Sequence, residues 1–124
     1  MRYALLVSHD ENAKISAAER RRRAAGLASA AEMLGTGGLL ACGVRLQPAC
    51  TGATVRCWYG GDVLVSRGPV AATIEQVAAF FVVDCADENA AIDVATGIPA
   101  AWYGSVEVRR VLQDHDPADP ALRG

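Results

Sequence analysis

The side chains best suited to acid–base chemistry in this sequence are His9, at the end of the N-terminal apolar run, and Tyr103, which precedes Gly104. Histidine is the usual group for moving a proton at physiological pH, because its unperturbed pKa lies near neutrality. A tyrosine hydroxyl can donate a hydrogen bond to a bound molecule, and the neighbouring Trp102 could line a pocket for a planar or apolar ligand. We therefore predict His9 and Tyr103 as catalytic residues and Trp102 as a substrate-binding residue.

Each of these residues also has a purely structural interpretation. His9 could lie in an exposed loop after the first strand, and Trp102 and Tyr103 could cover the core or form a dimer contact. Asp10 follows His9 directly, but adjacent residues of an extended segment point apart, so Asp10 is not expected to orient the His9 ring.

Arginine side chains are the natural partners of an anionic substrate group. Arg67 stands directly before the turn Gly68-Pro69, where its guanidinium could bind a carboxylate, enolate or phenolate oxygen through its fixed fork of donors. Together with Arg45 as a second anion holder and Glu107 in support, it completes the predicted substrate-binding set. The alternative for Arg67 is a solvated turn residue.

The run from Arg20 to Arg23 is the densest cluster of positive charge in the chain. Four consecutive positions of a helix point to all of its sides, so the run does not form one basic face. We predict a solvated stretch of helix here.

Composition excludes several other classes of protein. With 12 Lys and Arg against 14 Asp and Glu the formal net charge is −2, whereas nucleic-acid-binding domains usually carry a basic excess. The N-terminal apolar run is too short for a membrane span or a signal peptide, so we expect a cytoplasmic protein without membrane or nucleic-acid partners. The four cysteines have no metal-binding spacing and should be reduced thiols, two or three of them buried in strands; no metal and no cofactor is predicted.

The elements that must position these side chains follow from periodicity and turn residues. Ser16 with Glu19 forms a capping-box pattern before an apolar stripe of helical spacing, which predicts a helix over residues 16–35. Asp87 can cap a second helix, and Gly60-Gly61 indicates a hairpin. The remaining β-favouring runs predict strands over residues 2–8, 39–46, 53–59, 62–65, 78–85 and 105–111.

This order predicts an α+β fold in which two helices cover one face of a mainly antiparallel sheet. In the last strand Val106 and Val108 should meet the helices, while Glu107 and Arg109 should lie on the open face together with Arg45. An open face that mixes apolar and charged groups predicts a homodimer enclosing a polar cavity, with a solvated face as the alternative. Residues 1–111 should form one domain, and residues 112–124 a mobile polar tail.

Four segments of the chain carry a resemblance to a known family: RYALLVSHDE, GGLLACGVRLQPACTGATVR, SRGPVAATIEQVAAFFVVD and IPAAWYGSVEVRRV. Together they resemble the YCII-related proteins of the DGPF type, small bacterial proteins of the dimeric α/β-barrel superfamily, which has a ferredoxin-like fold. The resemblance covers residues 1 to about 111 and implies that fold for this chain, with homodimerisation through the open sheet face.

The family signature reads Asp-Gly-Pro-Phe-Ala-Glu-Thr-Lys-Glu, and this chain keeps only part of it. Gly68, Pro69, Ala71, Thr73 and Glu75 match, whereas Arg67, Val70, Ala72 and Ile74 replace Asp, Phe, Glu and Lys. The backbone-shaping Gly-Pro is thus kept while most of the charged groups are exchanged.

The resemblance also implies a class of chemistry. Some YCII relatives act as small lyases or dehydrohalogenases with a His and Asp pair, and other members of the superfamily isomerise, oxygenate or cyclise small molecules without a metal. We therefore predict a small cofactor-independent enzyme that transfers a proton on a small organic ligand, in a lyase, isomerase or cyclase reaction. The alternative is a non-catalytic ligand-binding or interaction module of the same fold with a degenerate signature.

Overall fold

The computed structural model describes residues 1–112, so the predicted mobile tail lies outside the described residues except for Leu112. This part of the chain contains two helices and six strands, with short 3-10 turns at Ala49–Thr51 and Pro99–Trp102. The elements are β1 (Arg2–Asp10), α1 (Ala17–Thr36), β2 (Leu40–Arg45), β3 (Ala53–Cys57), β4 (Val63–Arg67), β5 (Glu75–Asp84), α2 (Glu88–Thr96) and β6 (Ser105–Arg110).

Four strands form the main sheet in the order β2-β5-β1-β6, and every neighbouring pair is antiparallel. Both helices connect strands that are not adjacent in the sheet, which produces the ferredoxin-like α+β arrangement. The predicted fold class is therefore confirmed.

Both helices begin at the capping residues that the sequence indicated. The Ser16 hydroxyl accepts a hydrogen bond from the Glu19 N–H at 3.0 Å, and an Asp87 carboxylate oxygen accepts from the Ala90 N–H at 2.8 Å. The second half of the predicted capping box is wrong. The Glu19 carboxylate pairs with Arg22 and Arg23 instead of reaching back to the cap, because two guanidinium groups one turn along the helix compete for it.

The core lies between the sheet and the two helices. Leu5 and Val7 of β1 and Phe81 and Val83 of β5 are almost completely buried on the helix side, and Val106 and Val108 of β6 pack against the same cluster. The predicted alternation of β6 is thus confirmed.

The face predicted for Arg45 is wrong. Arg45 pairs with Ala79, which is fully buried on the helix side, so Arg45 lies on that side and not on the open face. The physical reason is a register irregularity between Leu40 and Cys42, which changes the side of the sheet to which the following residues point.

On the open face, two rows of side chains cross the main sheet. Both rows are apolar or thiol-bearing on β2, β5 and β1 and charged on β6. They are Val44–Phe80–Leu6–Glu107 and Cys42–Val82–Ala4–Arg109.

A separate hairpin of β3 and β4 is inserted between the neighbouring strands β2 and β5. Gly60 and Gly61 have φ values of 103° and 94°, the left-handed backbone that the hairpin turn needs and that glycine adopts without strain. At the base of the insertion the Leu46 N–H donates to the Ala78 carbonyl at 2.8 Å. The predicted hairpin is confirmed.

The cysteines differ from prediction, since Cys85 is buried and Cys42, Cys50 and Cys57 are exposed, and all four are free. The two exposed strand cysteines lie on surfaces that no helix covers in the single chain, namely the open face and the inserted hairpin. Neither helix within residues 1–112 has the length and hydropathy needed to cross a membrane.

Candidate functional site

A cavity of about 230 Å³ lies between the N-terminal half of α1 and the sheet, and we call it the helix cavity. Its floor is apolar, with contributions from Val7, Ile15, Leu27, Leu46 and Ala100. The polar and aromatic groups around it are His9, Asp10, Arg20, Arg23, Arg45 and Tyr103.

A second and larger concavity of about 610 Å³, the signature cleft, adjoins the helix cavity. One wall consists of Pro69, Ala72 and Thr73 from the signature segment, and the opposite side contains Glu11, Asn12, Pro48 and Cys50. His9, Arg20, Leu46 and Ala78 line both concavities, so these four residues form their common border.

His9 belongs to β1. The alternative position, in an exposed loop after the first strand, is therefore wrong. Like Val7, His9 lines the helix cavity, because β1 continues in extended form to Asp10. The Asp10 carboxylate accepts a hydrogen bond from the Asn12 N–H at 2.9 Å and so holds the turn that follows the strand. Within residues 1–112 no hydrogen bond joins the Asp10 carboxylate to the His9 ring.

The Tyr103 ring packs edge-on to the His9 ring, with 6.5 Å between the ring centroids and an angle of 85° between the planes. The guanidinium carbon of Arg23 lies 4.0 Å from the centroid of the Tyr103 ring, in cation–π geometry. Burial raises the pKa of the Tyr103 hydroxyl above its ordinary value of 10.0, and the positive charge of Arg23 opposes part of that rise. The hydroxyl is accordingly protonated at neutral pH and available as a hydrogen-bond donor.

The Arg23 guanidinium is also held from the side of α1. It forms an ion pair with the Glu19 carboxylate at 3.1 Å, and Arg22 binds the other oxygen of that carboxylate at 2.7 Å. Hydrogen bonds from Arg22 and Arg23 keep the pKa of Glu19 below its ordinary value of 4.5. The Arg23 guanidinium is therefore held between the Glu19 carboxylate and the Tyr103 ring.

The signature segment keeps its shape through the backbone. Gly68 is buried with φ of 97°, its N–H donates to the Gly52 carbonyl at 2.9 Å, and its own carbonyl accepts from the Thr54 hydroxyl at 2.8 Å. The Gln76 side-chain amide donates to the carbonyls of Ala71 at 2.8 Å and Thr73 at 3.1 Å. These contacts explain why the Gly-Pro part of the signature shapes the wall of a cleft even where its charged residues are exchanged.

A carboxylate closes the opposite side of the signature cleft. Both oxygens of Glu11 accept from the Ala49 N–H, at 2.8 and 3.0 Å, and so tie the end of β1 to the 3-10 turn after β2. Glu11 is therefore engaged in structure rather than presented to the cleft as a free base.

Three of the six predicted site residues line one cavity, namely His9, Arg45 and Tyr103. The other three line neither concavity. Arg67 ends β4 and is exposed, Trp102 is 84% exposed, and Glu107 pairs with Arg109 on the open face. In the single chain Arg67 shares neither concavity with His9 and Tyr103, because Arg67 belongs to the inserted hairpin and not to the strands that surround the cavity.

The sequence analysis missed Arg20 and Arg23. Their spacing places both arginines on the apolar stripe of α1. Arg23 and Ala24 lie three and four residues after Arg20, and Leu27 follows at four and three residues. Reading the basic run together with that stripe would have shown which two of its four arginines face the sheet. Within residues 1–112 no group of three or more His, Cys, Asp or Glu side chains is placed to hold a metal ion.

Comparison with known proteins gives two results that agree with this fold. The model of the YCII-related domain family matches residues 1–114. An uncharacterized protein of Rhizobium meliloti (strain 1021) is 34% identical to this chain over 113 residues, an alignment that covers 88% of this chain and 90% of the relative. The chain belongs to the YCII-related domain family.

Proposed function

We propose that the helix cavity is the ligand site of a small enzyme that transfers a proton on a small organic molecule without a cofactor. The observation that carries the proposal is the meeting of His9, Tyr103 and Arg45 around one cavity. A proton acceptor, a neutral donor and a cation are the groups that a lyase, isomerase or cyclase reaction of this kind needs.

Each group has a distinct task in this proposal. His9 takes a proton from the substrate, since it borders both concavities and can be reached from either. Tyr103 donates a hydrogen bond to the oxygen on which negative charge develops, because burial keeps its hydroxyl protonated. Arg45, which lines the same cavity, stabilises the same negative charge electrostatically.

One observation favours the alternative, a ligand-binding module without catalysis. Arg67 replaces the signature aspartate, and the nearby carboxylates of Asp10 and Glu11 accept hydrogen bonds from backbone N–H groups. No carboxylate of residues 1–112 forms a hydrogen bond with the His9 ring, so no acidic side chain orients the imidazole as a base. In this alternative the same cavity binds its ligand and releases it unchanged.

Hydrogen–deuterium exchange at carbon distinguishes the two functions without knowledge of the full reaction. The protein is incubated in D₂O with a panel of small ketones and 2-oxo acids, and proton NMR follows the C–H signals next to each carbonyl. We expect protein-dependent exchange for at least one compound, its loss in His9→Gln, and its retention in Trp58→Phe, a control on the exposed hairpin. Binding of panel members without any exchange would favour the alternative.

We also propose that the open face of the sheet pairs with a second copy of the chain. Support comes from the apolar parts of its two rows, which include Leu6, Phe80 and Val82, and from the absence of a covering helix on that side within residues 1–112. The Glu107–Arg109 ion pair at the β6 edge supplies a polar rim for such an interface. The three exposed free thiols suit a reducing compartment, and we propose the cytoplasm.

A further inference from the structure

We infer that the ligand of the helix cavity is a small carboxylate with a compact apolar body, and that Arg45 and Arg20 hold its carboxylate group. This inference rests on the proposed function in that it assigns a substrate class to the same cavity. It adds a binding role for Arg20, and it names the part of the substrate that the two arginines recognise.

The first step of the argument is the contrast between the charge of the cavity and the charge of the whole chain. The chain carries a formal net charge of −2, yet the side chains around the helix cavity include the guanidinium groups of Arg20, Arg23 and Arg45 and a single carboxylate, that of Asp10. A concavity lined by positive charge raises the local concentration of anions, even on a protein whose net charge is negative. The cavity therefore selects an anionic ligand.

The second step identifies the guanidinium groups that remain for a ligand. Arg23 is engaged by the Glu19 carboxylate and by the Tyr103 ring. Arg20 and Arg45 form no ion pair within residues 1–112, and they come from different elements, α1 and β2. A carboxylate between them would receive charge-assisted hydrogen bonds, the strongest polar contacts that the site can offer.

The third step concerns the body of the ligand. Val7, Leu27 and Ala100 give the cavity an apolar floor, and its volume of about 230 Å³ is small for a ligand site. Sites for drug-sized ligands span roughly 300 to 1,000 Å³, so the cavity suits only a compact molecule. His9 at the border then faces the reacting carbon, and any larger substituent extends into the signature cleft.

The same surroundings favour a carboxylate over a phosphate. Phosphate sites commonly use backbone N–H groups at a free helix N-terminus or in a glycine-rich loop. At α1 the Ser16 hydroxyl already accepts from the Glu19 N–H, and the charged residues that line the cavity are Asp10, Arg20, Arg23 and Arg45. A singly charged carboxylate needs only the two guanidinium groups that are present.

The experiment measures binding of matched acids and amides to the full chain. Isotope-labelled protein is titrated with benzoate and benzamide, with butanoate and butanamide, and with inorganic phosphate, and NMR shift changes give the dissociation constants. We expect each acid to bind at least about tenfold more tightly than its amide, because a hydrogen bond to a charged group contributes more than one to a neutral group. Affinity for the acids should fall as salt concentration rises.

Matched variants assign the effect to the two arginines. Arg45→Gln and Arg20→Gln should each weaken acid binding about tenfold or more, since a bidentate charged contact is lost. Arg21→Gln and Arg56→Gln remove the same charge from exposed positions that line neither concavity, and they should leave the affinity within about twofold. Melting temperatures of all variants verify folding, and Arg45→Lys, which keeps the charge but not the donor fork, should retain part of the affinity.

Three results would overturn the inference: amides that bind as tightly as their acids, phosphate that binds more tightly than either acid, or control variants that lose as much affinity as Arg45→Gln. These results are separable from a failure of the proposed function. Acid binding that persists in His9→Gln without carbon exchange in the wild type supports the inference and refutes the enzyme, whereas exchange on neutral ketones alone supports the enzyme and refutes the inference.

Discussion

Arg23 of α1 lies with its guanidinium carbon 4.0 Å from the centroid of the Tyr103 ring, which follows the 3-10 turn before β6. The Tyr103 ring also contacts His9, whose imidazole packs edge-on to it. The phenol that we propose as a donor is thus held between a helix and a strand, and its hydroxyl direction depends on how both pack.

Replacement of Arg23 by Gln should loosen Tyr103. A partly exposed cation–π contact contributes about 0.5 to 1 kcal/mol, so the coupling between Arg23→Gln and Tyr103→Leu in a double-mutant cycle should have that size. Chemical denaturation of the four proteins measures it. Arg21→Gln with Tyr103→Leu is the matched control, and a coupling near zero in both cycles would contradict the contact.

Tyr103 should give the stability of the protein a dependence on alkaline pH. Because the folded-state pKa is raised above the ordinary value of 10.0, the unfolded chain releases this proton first, and stability is lost as pH rises through that range. Unfolding experiments from neutral to strongly alkaline pH measure the free energy of unfolding of the wild type relative to Tyr103→Phe. This relative stability should be constant below about pH 9 and should fall above about pH 10. A constant difference across the range would contradict burial as the cause.

Gly68 should tolerate substitution poorly although there is space for a side chain. A Cβ at this position would meet no atom within 4 Å, so the cost of Gly68→Ala is that of φ at +97° and amounts to about 1 kcal/mol. Gly35→Ala in α1 is the matched control and should stabilise the protein by about 0.5 to 1 kcal/mol, since alanine has the higher helix propensity. Denaturation midpoints that shift in the same direction for both variants would refute this account.

A charge in the middle of the open face should prevent association. Leu6→Asp places a carboxylate in the apolar row between Phe80 and Glu107. In sedimentation experiments at micromolar concentration we expect this variant to be a monomer and the wild type to be a dimer. Ile92→Asp, on the exposed side of α2, changes the charge equally and should remain dimeric. The Cys42 thiol, on the same open face, should also react more quickly with an alkylating reagent in Leu6→Asp than in the wild type.

The fold followed from the sequence because its signals are local. Ser16 and Asp87 cap helices by contacts with residues three positions away, and the alternation of Val106 and Val108 with Glu107 needs only the pleat of one strand. Local signals of this kind survive without knowledge of the tertiary structure.

The site followed only in part because its remaining members depend on non-local geometry. Arg45 lies on the helix side because of the register irregularity between Leu40 and Cys42, which the hydrophobic periodicity of the sequence does not reveal. Arg67 lies away from the helix cavity on the inserted hairpin, where the neighbouring Gly68 N–H donates to the Gly52 carbonyl. Arg20, in contrast, was within reach of sequence reasoning, since the apolar stripe of α1 already defined its side of the helix.

The inserted segment between β2 and β5 contains the residues of the signature that line the signature cleft. Its two ends lie next to each other on these adjacent strands, where the Leu46 N–H donates to the Ala78 carbonyl. Residues 47–74 can therefore be regarded as a cassette, because the sheet supplies both of its ends in fixed positions. Grafting a segment of different length or chemistry between those ends would remodel the cleft, while His9 and Arg45 stay on the main sheet and Tyr103 stays in the segment before β6. In this architecture the lining of the cleft and the proposed proton-transfer groups can diversify separately.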